Sequence, residues 1–132
     1  MFGAKRKKET RCQNNFKVVN FREYMLSKKH CFNDWEDNYK FMQCYESFTF
    51  EKQNFIVSFS QDLREHRVTL SVVANNEQII NLGFGMYDVK DERYDITEIQ
   101  QFASRYQTRL LPEIDEEIDV YIEFLLKNKI IP

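Results

Sequence analysis

From Tyr39 to Asp88 the chain alternates apolar and polar residues, broken only by short turn signals. A period of two sends successive side chains to opposite faces of a strand, so this stretch is constrained to fold as a sheet. The breaks fall at Gln53–Asn54, at Leu63–His66 and at Asn75–Asn76. They predict four strands, over 46–52, 54–62, 67–75 and 78–88, joined as an antiparallel meander. Phe48 and Phe50, then Phe55, Val57 and Phe59, then Val68, Leu70 and Val72, then Ile80, Leu82, Phe84 and Met86 share the apolar face.

The opposite face is unusual in its small side chains. It carries Ser47, Thr49 and Glu51, then Ile56, Ser58 and Ser60, then Thr69, Ser71 and Val73, then Asn81, Gly83, Gly85 and Tyr87. Such a surface is flat and has few rotamers to freeze. Ser and Thr are also ordinary on exposed strands, and a register slip of one residue would exchange the two faces. Gly83 and Gly85, two of three glycines in the chain, lie in phase with this face. A phosphate loop would need a helix N-terminus directly after them. None follows, so "GFG" is read as a bulge or a close approach within one strand.

Helical spacing flanks the alternation. Asn20 and Glu23 form a capping-box variant ahead of a short helix whose inner face holds Phe21, Tyr24 and Met25. Residues 31–45 read as a loop leading into a strand. Asp95 and Glu98 open a second helical stripe of Ile96, Ile99, Phe102, Ala103, Tyr106 and Leu110. Pro112 either kinks that helix or starts a new one, whose stripe is Ile114, Ile118, Tyr121, Ile122 and Leu125. The fold class is α+β: an N-terminal helix, the four-stranded meander, then two C-terminal helices, or one kinked at Pro112, packed on the apolar sheet face. A length of 132 residues suits one domain. It divides into a basic flexible arm over 1–14 and a single α+β domain over 15–132.

Charge is uneven. Lys5, Arg6, Lys7, Lys8 and Arg11 against Glu9 give residues 1–11 a local +4, which leaves −6 on the remainder of a chain whose net charge is −2. An acidic body repels nucleic acid and attracts basic partners. The cysteines, Cys12, Cys31 and Cys44, are odd in number and show no C-x-x-C spacing, as expected of free thiols in a reducing, cytoplasmic setting. No apolar stretch follows the basic start, and no run is long enough to span a bilayer.

Chemistry-bearing constellations are sparse. His30 adjoins Cys31, but neighbours in a regular element diverge. His66 falls in a turn. His30, Cys31, Asp34 and Asp37 follow no zinc or calcium spacing. These observations assign no catalytic residue, cofactor or metal. In general type, a small acidic α+β chain of this kind resembles bacterial toxin-immunity proteins and small phage-encoded inhibitors. That resemblance implies a non-enzymatic protein-binding domain that blocks a basic toxin or nuclease. Glu113, Glu116, Asp119 and Glu123 are the first candidates for the acidic contact, Asp34 and Asp37 the next, and Gly83, Gly85 and Tyr87 mark the flat face, left for a partner, a second copy or the N-terminal helix. Two alternatives are a nucleic-acid-associated accessory protein using Lys5, Arg6, Lys7 and Lys8, and a small hydrolase using Cys31 or the Asp34–Asp37 loop.

Overall fold

A computed structural model describes residues 20–83, 86–106 and 112–132. The basic arm, Phe84, Gly85 and Leu110 lie outside the described residues. Helix α1 (Phe21–Ser27) and a 3-10 turn (Lys29–Phe32) precede the sheet. Its strands are β1 (Glu36–Met42), β2 (Tyr45–Lys52), β3 (Phe55–Asp62), β4 (Arg67–Ala74), β5 (Glu77–Gly83) and β6 (Met86–Val89). Helices α2 (Thr97–Ser104) and α3 (Ile114–Lys127) follow.

The six strands lie in sequence order, and every neighbouring pair is antiparallel. The meander is therefore correct, but among the described residues it has six strands rather than four. The first addition is β1, which begins at Glu36 where a loop was expected. The second comes from dividing the expected last strand. Gly83 pairs with Met86, so the chain turns back between them. The apparent continuity of "INLGFGMYD" thus concealed a hairpin.

With few glycines available, the turns take left-handed backbone from other residues. Asn75 (φ 54°) and Asn76 (φ 65°) both adopt it, as a two-residue type I′ hairpin requires. Gln43 (φ 50°) and Gln53 (φ 54°) supply it in the β1–β2 and β2–β3 connections.

One sheet face carries the core. Phe48, Phe50, Val57, Phe59, Val68, Leu70, Val72, Ile80 and Leu82 are buried there, with Phe21 and Met25 of α1 and Ile114, Ile118, Tyr121, Ile122 and Leu125 of α3. Phe32 of the 3-10 turn stacks on Phe50 with ring centroids 3.9 Å apart and planes 5° from parallel. The helical arrangement differs from the expected pair of C-terminal helices on the sheet. Contacts run from α3 to β4 and from α1 to β2, while α2 leans on α3. Pro112 stands just ahead of α3 rather than kinking a longer helix.

The cap expectations hold in part. Asn20 Oδ1 accepts from the Glu23 amide at 3.0 Å. At α2, Asp95 lies one residue farther out than expected and accepts from the Thr97 amide at 2.9 Å.

Candidate functional site

Among the described residues no helix covers the second sheet face, and strand register sets its side chains in rows. One row crosses all six strands as Asn38, Thr49, Ser58, Ser71, Asn81 and Asp88. The row beside it runs Lys40, Ser47, Ser60, Thr69, Gly83 and Met86. Six strands at about 4.8 Å spacing make a lane roughly 24 Å wide from edge to edge. Its hydroxyls touch one another sparingly: Thr49 Oγ1 and Ser58 Oγ lie 3.4 Å apart, and Gln78 Nε2 donates to Ser71 Oγ at 3.0 Å. Glu36 and Glu51 face each other across β1 and β2 at one end of this surface.

Gly83 belongs to that face and is buried at its corner. A β-carbon placed there would lie 3.2 Å from Thr69 Cγ2 and 3.4 Å from Met86 Cε, so the glycine makes room for two neighbouring side chains. Tyr87 does not belong to it. Tyr87 pairs with Leu82, and directly opposed residues share a face, so the β5–β6 turn carries Tyr87 to the helix side, packed against the core. The same reversal brings Met86 out to 42% exposure, where a single long strand would have placed it on the apolar face.

The acidic candidates do not form one patch. Asp119 turns toward α1: it accepts from Tyr24 Oη at 2.6 Å and meets Lys28 Nζ at 3.4 Å. Burial, with Asp119 and Asp115 nearby, raises the Tyr24 hydroxyl well above its ordinary value. Glu116 folds back on the helix start, accepting from the Glu113 amide at 3.0 Å and from Tyr106 Oη at 3.2 Å. Glu123 lies on the α2 side, lining a cleft of about 250 Å³ with Glu98, Gln101, Phe102, Arg105 and Val120. Asp34, in left-handed backbone at φ 73°, is exposed just before β1, and Asp37 meets Lys29 Nζ at 3.3 Å.

The acid that sequence reasoning missed is Glu117. Its side chain is 2% exposed, gripped by Arg67 at 2.8 Å (Nη2 to Oε2) and 3.3 Å (Nε to Oε1), and it accepts from the Val68 amide at 3.2 Å. Tyr121 Oη donates to the Val68 carbonyl at 3.0 Å. Helix α3 thus holds both backbone polar groups of one β4 residue. The signal was present in the spacing, since Glu117 falls between Ile114, Ile118 and Tyr121 on the inward stripe.

Among the described residues the reactive side chains form no cluster. Cys31 is half-buried against the core, and His30 Nδ1 lies 3.1 Å from the Ser27 carbonyl oxygen. Cys44 borders a depression of about 590 Å³ with Met42, Gln43, Tyr45 and Arg64. Among the described residues no group of three His, Cys, Asp or Glu is placed to hold a metal ion. Nor is any helix of the described residues long and apolar enough to cross a membrane. No protein-family model, curated protein or solved structure matches the chain.

Proposed function

We infer that this chain is a non-enzymatic protein-binding domain of the inhibitor or immunity type, and that its contact surface is the sheet face opposite α1 and α3. One observation carries the reading: a row of small polar side chains crosses six strands with no helix of the described residues over it. Serine and threonine lose little rotamer entropy on docking, and a flat face of this width matches the roughly 800 Å² that each partner contributes to an interface of standard size. Glu51 and Asp88 give the face an acidic margin suited to a basic partner. The α3 acids contribute long-range attraction, because Glu116 and Asp119 are held in contacts within the fold.

The test is site-specific photocrosslinking from positions 58 and 71 in the source cells, paired with Ser58→Arg and Ser71→Arg. The expected result is one discrete protein adduct from both positions, lost from position 71 in Ser58→Arg and from position 58 in Ser71→Arg, and retained from both in Glu123→Ala. Adducts that survive both arginine substitutions would refute it.

A further inference from the structure

We propose that β1 is a self-pairing edge, joining two copies of the chain antiparallel about a two-fold axis at Asn38. Among the described residues strand β1 closes one side of the sheet, and six of its seven residues are exposed. An edge strand presents a row of backbone N–H and C=O groups without partners. Tyr39 fixes this edge in place: its ring faces Phe48, its hydroxyl donates to Glu46 at 2.5 Å, and Arg22 lies over the ring at 5.0 Å. Large apolar groups gather at one end, with Phe41 and Met42 each 60% exposed and Tyr45 49% exposed.

Charges on an edge usually discourage pairing. Here their spacing is self-complementary in one register. With Asn38 opposite its own copy, Glu36 faces the partner's Lys40, and the two-fold axis repeats the pair. Shifting the centre to Lys40 or to Asp37 sets like charges directly opposite, which is unfavourable. Centring on Tyr39 leaves Glu36 facing methionine. Within one chain Glu36 already opposes Glu51, a like-charged cross-strand pair, and neither Glu36 nor Lys40 has a salt bridge among the described residues. The partner's Lys40 would offset that repulsion. Both copies would then show their small-residue faces on the same side, as one continuous surface.

The inference is independent of the partner reading, whose test sites at Ser58 and Ser71 lie on β3 and β4. Sedimentation velocity on the full chain, over a concentration series into the high micromolar range, decides it. The wild type is expected to sediment as a dimer. Glu36→Lys and Lys40→Glu, each creating two like-charge contacts, are expected to weaken the dimer at least about tenfold. The double variant, which restores opposite charges in swapped positions, is expected to recover it. Thermal melts followed by circular dichroism confirm that each variant is folded. A wild type that stays monomeric throughout, single variants that dimerise as before, or a double variant that fails to recover would each overturn the proposal.

Discussion

Glu117 of α3 and Arg67 at the head of β4 form a two-contact ion pair, closed at 2.8 Å, with the carboxylate almost wholly out of water. The same carboxylate satisfies the Val68 amide, so one acid joins helix to strand through both a side chain and the backbone. Breaking a buried pair from one side costs far more than the pair contributes net. Glu117→Ala is therefore expected to destabilise by about 3 kcal/mol, and Tyr121→Phe, which strips the bond to the Val68 carbonyl, by about 1 kcal/mol. Urea titration of each variant measures both.

Burial pushes the Glu117 carboxyl up, against the opposing pull of Arg67 and the Val68 amide. The folded state therefore holds this proton more tightly than the unfolded chain does. Over the range from the ordinary glutamate value of 4.5 up to the raised one, the folded state binds more protons, so stability falls as pH rises. Glu117→Gln removes that contribution. The wild type is expected to gain stability relative to the glutamine variant as pH is lowered from neutrality toward 4.5. Paired denaturation curves at several pH values would show it, and a constant difference would contradict it.

Asp95 has the opposite sign. Its hydrogen bond to Thr97, ahead of Lys127 3.2 Å away, lowers its carboxyl to about 2 from an ordinary 3.8. The contribution is complete above the unfolded value and is lost as pH falls from about 3.8 through about 2. Asp95→Asn should be less stable than wild type at about pH 6, and the difference should shrink steadily as pH falls from about 3.8 through about 2. The same carboxylate faces solvent, so added salt should shrink the gap.

The buried side of the sheet was legible because burial writes a period of two into the sequence. Phe48, Val57, Leu70 and Leu82 all lie where that alternation put them. The edges were not legible. Strand β1, as an edge, buries almost nothing, so "EDNYKFM" lacks the apolar half of the signal. The β5–β6 turn was hidden because a reversal between Gly83 and Met86 left the run of alternating letters intact while exchanging the faces beyond it. That one turn accounts for both Met86 and Tyr87 falling opposite to expectation. The α3 acids were visible as a cluster, but their partners come from the α1 region, from Tyr106 beyond α2 and from β4, which no local spacing reveals.

Gly83 and Thr69 should be energetically coupled. No left-handed backbone requires glycine at position 83, so alanine is limited there chiefly by the Thr69 methyl 3.2 Å away. Gly83→Ala alone sets the loss of unfolded-chain freedom, which favours the folded state, against that contact. Thr69→Ser removes the methyl. In a double-mutant cycle, Gly83→Ala is expected to be more favourable in the Thr69→Ser background than in the wild type, by about 0.5 to 1 kcal/mol. Strict additivity would mean that the two side chains do not meet.

Helix α3 ends in a Schellman motif whose left-handed residue is Lys129, at φ 60°. The Ile130 amide donates to the Leu125 carbonyl at 2.9 Å and the Lys129 amide to the Leu126 carbonyl at 3.1 Å, which satisfies two of the helix's last carbonyls. Glycine is the usual occupant, because a β-carbon crowds the backbone in that conformation. Asn128 already braces the turn, donating from Nδ2 to the Phe124 carbonyl at 2.9 Å and accepting from the Asp95 amide at 2.8 Å. The turn is thus held by bonds that do not involve the Lys129 side chain. Lys129→Gly should retain all of them while relieving the backbone, and should stabilise the fold by about 0.5 to 1 kcal/mol even after the greater freedom of glycine in the unfolded chain. Lys129→Val, whose β-branch worsens the crowding, should destabilise it. Thermal melts of the two variants beside wild type test the order Gly, Lys, Val, and any other order would place the strain elsewhere.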